Sequence, residues 1–379
     1  MSTTPPIAKT ARTTAGLVEH PRTSPLHWHR PLMVLTALMV LSTVACLVGL
    51  AVDDRILTGQ LIWMKPLKFS LSIGIYAVSW AWLIHQLRRF HRLAWWAGTA
   101  AAGFLLIEQI IIIGDVIRGT TSHFNTSTPF NAAMWAVMAG SIAVVWIATL
   151  VVSALLFTNP GPDQARNLTI RLGSVIAVTG MALGFLMTIP TTAQIVAGGS
   201  TVGAHTVGLA DGGPGVPFFG WSTVGGDLRI PHFIGMHALQ TLPILLILLE
   251  AGGRWIPRLA NVALRSRLIL VAALGYLAML ALLTWQALRG QSIVHPDSET
   301  LGASAAILVA LAIGVGWSLL DTRTDPALVG GRLGRARTSP ITHRSVTQPT
   351  LTAPEAAVQR VTPVRRPPRA TKECLRPSR

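Results

Sequence analysis

The stretch "AAMWAVMAGSIAVVWIATLVVSALLF", residues 132–157, contains no charged side chain and no proline. A helix at a soluble surface keeps one polar face toward water, and this stretch has none. About 20 apolar residues suffice to cross the hydrocarbon core of a bilayer. Seven further runs are apolar over a similar length, though four of them carry a charged residue: 32–52, 67–87, 94–117, 170–196, 233–250, 268–288 and 300–320. These runs are too long and too uniformly apolar to alternate in and out as barrel strands do. The expected fold is therefore all-α and transmembrane, a polytopic bundle of about eight helices. Composition agrees. The chain is 51% hydrophobic and 12% charged, whereas a soluble domain has about a quarter of its residues charged.

Lysine and arginine placement sets the orientation. With the N-terminus inside, the inner segments hold thirteen basic residues and the tail after Asp321 adds twelve, against six on the outer side (Arg55, Lys65, Lys68, Arg118, Arg229 and Arg289). Both termini are expected to be cytoplasmic. The net charge of +16 is then a topology signal, and it calls for no nucleic-acid partner. The partner it implies is the lipid bilayer, whose anionic headgroups the basic inner rim can touch.

Three regions follow. Residues 1–31 form a basic tail, without the pattern of a cleavable signal. Residues 32–320 form the transmembrane domain. Residues 321–379 are rich in Arg, Pro, Thr and Ser, lack apolar periodicity and are expected to be disordered. Cys46 lies in an apolar run and Cys374 in the tail, so neither a disulfide framework nor a cysteine metal site is expected.

The unusual residues fall on the outer side, in "DDRILTGQLIWMKPLKF", "EQIIIIGDVIRGTTSHFN", "TIPTTAQ", "GWSTVGGDLRIPHFIGMHALQ" and "WQALRGQSIVHPD". Each acid there has a base close by: Asp54 with Arg55, Asp115 with Arg118, Asp227 with Arg229. Asp115 and Arg118 share a helix face, and Glu108 returns to nearly that face two turns earlier. Glu108 then lies about 15 Å below Arg118, near the bilayer centre. An ionisable group at that depth costs about 2.5–3.5 kcal/mol and marks a functional site by default. If it serves packing alone, it should bond Gln109, Gln194 or Gln286. Pro66 and Pro231 are each expected at a first helical position. That places Lys65 and Lys68 at a helix N-terminus, where cations need acidic partners or an anionic ligand. Asp53, Asp54 and Asp115 are the acids at hand.

The loop 198–231 contains ten glycines with His205, Asp211 and Trp221. A loop of that length without its own secondary structure reads as a lid or binding loop, or as a mobile segment. His232 and His237 are five residues apart, about 140° around a regular helix, so they cannot share one metal. His232 is expected at the outer rim. His237, on one edge with Gln240 and Thr241, is expected in a buried network with Glu108, Asp115 and Arg118. "RGTTSH" echoes "RGQSIVH", and "KPLKF" echoes "IPHF". Two parallel four-helix repeats would fit these echoes.

At "WMKPLKFSLSIGIY", "RGTTSHFN" and "HFIGMHALQ", residues 32–320 resemble a group of uncharacterised bacterial integral membrane proteins with W-x-K-P-x-K-F and R-G-x-x-S-H-F-N signatures. The resemblance implies the membrane class and no particular chemistry. Arginine outnumbers lysine 27 to 4, which suits a GC-rich genome. The expected location is a bacterial plasma membrane.

The leading functional reading is an outward-facing polar cavity that binds or transports a small polar or anionic solute, or protons. Its candidate residues are Lys65, Lys68, Glu108, Asp115, Arg118, His123, Asn125, Gln194, Asp227, Arg229, His237, Gln240, Gln286 and Arg289. The alternatives are haem or metal binding through His123, His232 or His237, and an enzyme using His with a carboxylate. No C-x-x-C-H, H-E-x-x-H or G-x-S-x-G frame is present. No residue is singled out as catalytic or as a metal ligand, and no cofactor is strongly indicated. Oligomeric state is left open.

Overall fold

The structure, a computed structural model, describes residues 28–320. Residues 1–27 of the expected N-terminal tail and the tail from 321 lie outside the described residues. Among the described residues ten α-helices run in chain order: α1 Arg30–Val52, α2 Met64–Gln86, α3 His91–Arg118, α4 Pro129–Thr158, α5 Gln164–Leu183, α6 Thr192–Ala197, α7 Arg229–Met236, α8 Ala238–Gly252, α9 Val262–Leu288 and α10 Ser298–Leu320. Seven apolar helical segments are long enough to cross a membrane, and α7 with α8, bent by 45°, makes an eighth crossing when counted as one span. The chain is a polytopic helical bundle. The face carrying the loops 119–128, 198–228 and 289–297 is the one the charge bias assigns to the outside, and is called the outer face below.

Local signals set the helix ends. Thr128 caps α4 by accepting from Asn131 N at 3.2 Å, with Pro129 in the first turn. Asp163 caps α5, and Asn261 caps α9. Gly119, at φ 69°, closes α3 in the left-handed region that glycine favours. Pro66 and Pro231 stand at the third helical position of α2 and α7 rather than the first. The first turn is tolerated for the same reason, since its N–H groups have no intrahelical partner.

The fifth span is interrupted. After α5 the chain tightens into a 3-10 turn over Gly184–Thr188, and α6 begins only after Pro190. The sixth span breaks at His237, the joint between α7 and α8. Two short antiparallel strand pairs brace the outer loops: β1 Ile56–Leu57 with β2 Gln60–Leu61, and β3 Thr206–Val207 with β4 Gly226–Asp227. The glycine-rich loop thus has some secondary structure of its own.

Apolar side chains of α1 to α4 form the largest buried cluster, centred on Leu32, Tyr76, Trp80, Leu105, Val145 and Val152. A second joins α5, α8 and α9 through Ile176, Leu242, Ala273 and Leu280. Arg118 ends α3 and Arg289 directly follows α9, and each precedes a left-handed glycine, Gly119 or Gly290. Arg118 then reaches Asn131 at the start of α4, and Arg289 reaches Asp297 just before α10.

Candidate functional site

On α3, Leu105, Glu108, Ile112 and Asp115 form one buried stripe. Glu108 faces into the bundle, not lipid, and is 1% exposed. Neither of its carboxyl oxygens has a hydrogen-bond partner among the described residues. Gln109 turns instead to Ser42, Ser70 and the Pro66 carbonyl. Gln194 closes a capping box with Thr191 and clamps both backbone groups of Gly203. Gln286 donates to the Ser292 carbonyl. The glutamine partners expected for Glu108 are therefore absent.

Its neighbour comes from the loop after Gly119. His123 Nε2 lies 3.5 Å from Glu108 Oε1. Phe69 of α2 and Trp135 of α4 pack on that imidazole, with ring centroids 5.5 and 5.6 Å away. Asn125 fixes this loop by donating to Thr120 and the Thr121 carbonyl, while Ser127 donates to its Oδ1. The adjacent Phe124 is held left-handed at φ 62°. Its carbonyl accepts from Val202 N, and Thr126 N donates to the Ser200 carbonyl. The glycine-rich loop is thereby docked over the end of α3.

That docking brings in two residues that no helical spacing could reveal. His205 packs edge-on against Phe124 at 4.8 Å and lies 6.4 Å from His123 by ring centroids. Its Nδ1 is 2.5 Å from Asp211 Oδ2. Asp211 also accepts from the backbone of His205 and from Thr206 N and Oγ1. Asp211, His205, His123 and Glu108 thus lead from a partly exposed carboxylate at the outer face to a buried carboxyl inside the bundle. The only sequence hint was a histidine and an aspartate six apart in a loop.

Lys65 points toward the same place. Glu108 is the strongest opposite charge acting on its ammonium, yet Lys65 makes no hydrogen bond or ion pair among the described residues. Lys68 is different. It donates to Gln60 and to the Phe219 carbonyl at 2.8 and 2.9 Å, tying the loop to α2. Neither lysine finds the aspartate partner expected for it.

The remaining candidates hold the frame. Asp115 pairs with Arg118 at 2.7 Å, and Arg118 ties α3 to Asn131 of α4. Arg55 pairs with Asp53, not with the expected Asp54. Asp227 pairs with Arg229 in a bidentate clamp and also accepts from Ser222 N. Arg289 meets Asp297 and Glu299, away from Glu108. His237 sits at the α7–α8 joint against Phe233, and Gln240 reaches Ser79. Neither joins Glu108, which corrects the expected network. His232 is not at the rim either. Its Nδ1 donates to the Gly180 carbonyl at 2.9 Å inside the bundle.

Burial, then the Lys65 ammonium and His205, hold the His123 imidazole well below its ordinary pKa. His205 is also lowered, by burial first, against the opposing bond to Asp211. For Asp211 burial pushes upward, but the bonds and charge of His205 and the Thr206 hydroxyl outweigh it, and the carboxyl is held well below its usual range. Both depressions act with the same sign. The unfolded loop takes up protons that the docked loop refuses, first below about pH 6.5 and again below about pH 4. The docking of 204–211 is therefore expected to weaken as pH falls from 7 to 5, and further toward 3. Amide exchange of these residues, corrected for its intrinsic pH dependence, should speed up over that window. Constant corrected protection would contradict this account.

Among the described residues, no group of three or more His, Cys, Asp or Glu side chains is placed to hold a metal ion. Comparison with known protein families, with curated proteins and with solved structures finds no match.

Proposed function

We propose that this protein handles protons at an outward-facing polar site in the plasma membrane of a bacterium. Asp211, His205 and His123 pass a proton between the outer face and Glu108. The observation that carries the reading is Glu108 itself: 1% exposed, without a hydrogen bond on either oxygen among the described residues, and 3.5 Å from an imidazole nitrogen. A buried carboxylate left without partners costs several kcal/mol, so its charge must be met by a proton or by a cation. His123, with a depressed pKa, is neutral near pH 7 and so has one nitrogen free to accept while the other donates. A chain of carboxylate, two imidazoles and carboxyl is the side-chain chemistry of intramembrane proton relays. A second reading rests on Lys65, whose ammonium has no hydrogen bond among the described residues and would accept a small anionic solute entering beside His123.

The test uses the full chain in vesicles carrying an internal pH dye, together with the infrared stretch of protonated carboxyl groups. In the parent, one carboxyl band should respond to external pH, and protons should cross. Glu108→Gln should delete the band and slow proton movement about a hundredfold, the low end of what a positioned acid–base group contributes. A parent that moves no protons, or a variant that moves them equally fast, overturns the reading. Added small anions that shift the Glu108 band in the parent but not in Lys65→Met would support the second reading.

A further inference from the structure

One turn inward of Glu108 the bundle holds a partly open cavity of about 80 Å³. Its wall is mostly apolar and includes Ser72 and Tyr76 of α2, Leu105 of α3, Val145 and Trp146 of α4, Met181 of α5 and His232 of α7. Leu105 precedes Glu108 by three residues on the same buried stripe, a rise of about 4.5 Å. Ser72 follows by three residues Phe69, whose ring packs on His123. Leu105 and Ser72 thus set the cavity about one helical turn inward of the Glu108–His123 pair.

The polar groups of this wall divide in two. The Tyr76 hydroxyl is bonded to Thr149 at 2.9 Å, and the Trp146 indole donates to the Val178 carbonyl at 3.2 Å. Ser72 and His232 keep hydrogen-bonding capacity in reserve. The Ser72 hydroxyl has no partner among the described residues. His232 spends Nδ1–H on the Gly180 carbonyl. Its neutral ring then carries the lone pair on Nε2, and no described residue donates to it. A water takes up about 30 Å³ of liquid and needs two or more polar partners. The space suits two or three waters, and Ser72, His232 and the waters themselves supply partners.

His232 is held there by close backbone packing. Cβ atoms built on Gly180 and Gly184 would lie 2.3 Å from Gly235 and 2.9 Å from the His232 ring. Only glycines let α7 lie this close to α5. The break at His237 then lets α8 leave in a new direction, as discontinuous helices do around midplane sites of transporters.

We propose that this cavity holds a short chain of water linking Glu108 to His232, and that His232 is the next proton acceptor inward. The inference rests on the reading of Glu108 as a proton-binding group. In the step, the O–H bond of Glu108 breaks and an N–H bond forms at His232 Nε2. The waters exchange hydrogen bonds and are unchanged at the end. The products are a carboxylate near Lys65 and His123 and an imidazolium that keeps its Nδ1–H on Gly180.

The first two variants fill the cavity without touching a titratable group. Ser72→Leu and Val145→Phe, in the vesicles described above, should leave the Glu108 carboxyl band responsive to external pH. Both should slow proton movement about a hundredfold, as loss of a positioned transfer group does. His232→Gln, which can still donate to the Gly180 carbonyl but cannot take a proton, should do the same. Ser72→Ala guards against misfolding, since it removes the hydroxyl and adds no volume; it should slow movement measurably with an unchanged melting temperature. If Glu108 responds normally and all these variants move protons at the parent rate, the inference is overturned while the reading of Glu108 stands. If the parent's Glu108 band does not respond, both fall.

Discussion

Arg229→Leu is expected to destabilise the protein by roughly 3–5 kcal/mol, the loss found when one partner of a buried ion pair is removed. The Asp227 side chain is fully buried, and Arg229 is 28% exposed. Arg229 donates to both Asp227 oxygens and to the Gly220 carbonyl. Without it, Asp227 keeps the Ser222 and Arg229 backbone N–H groups, which support a charge but do not neutralise it. The double variant Asp227→Asn/Arg229→Leu should recover most of the loss, because it leaves no buried charge behind. Arg55→Leu is the control. Arg55 grips Asp53 with the same i,i+2 geometry, but at 48% exposure, and its removal should leave stability nearly unchanged. Denaturant titration of the purified protein measures all three. A loss below about 1 kcal/mol for Arg229→Leu would place this pair among exposed ones and contradict the argument. The variant should also disturb the site, because Asp227 pairs in register with Thr206, next to His205.

How much of this was legible in the sequence depends on which interaction decides each feature. Apolar runs fix the spans, because lipid permits few alternatives for an uncharged stretch of that length. The structure accordingly has a helix, or a broken helix, at each of the eight. The break in the fifth span could be read from Pro190. The break at His237 could not, since Pro243 lies further along, inside α8. Treating 232–237 as one regular helix separated the two histidines correctly but sent each to the wrong neighbours. The choice of Asp53 over Asp54 was within reach, because alternate residues of extended backbone share a side, and Asp53 is extended at φ −130°, ψ 105°. Asp227 and Arg229 share the i,i+2 spacing but not that backbone, since Leu228 between them is helical at φ −70°, ψ −14°. Glu108 was legible as an outlier by depth alone. Its companions His123 and His205 were not, because they arrive from two loops whose docking depends on Asn125, Asp211 and the Asp227 clamp. No period within one element encodes that meeting.

Gly180→Ala is expected to lower stability by about 3 kcal/mol, the upper part of the range for overpacking a tight interface. A methyl group on Gly180 would lie 2.3 Å from Gly235 C, 2.4 Å from Gly235 Cα and 2.5 Å from Met236 N. These are all backbone atoms, so no side-chain rotation relieves the clash, and α5 and α7 must separate. Membrane helices depend on such small-residue contacts, because lipid offers no hydrophobic drive to press them together. Separation also pulls the Gly180 carbonyl away from His232 Nδ1, now 2.9 Å apart, and frees the ring to turn out of the cavity. The variant should therefore slow proton movement even at temperatures where it stays folded. Gly114→Ala provides the contrast on α3. A Cβ there meets nothing within 4 Å, and alanine favours a helix by about 0.8–1.0 kcal/mol over glycine, so stability should hold or rise. Thermal melting of the two variants beside the parent decides the matter. A Gly180→Ala protein that melts with the parent would mean that α5 and α7 can part without cost, and the placement of His232 would lose its physical basis.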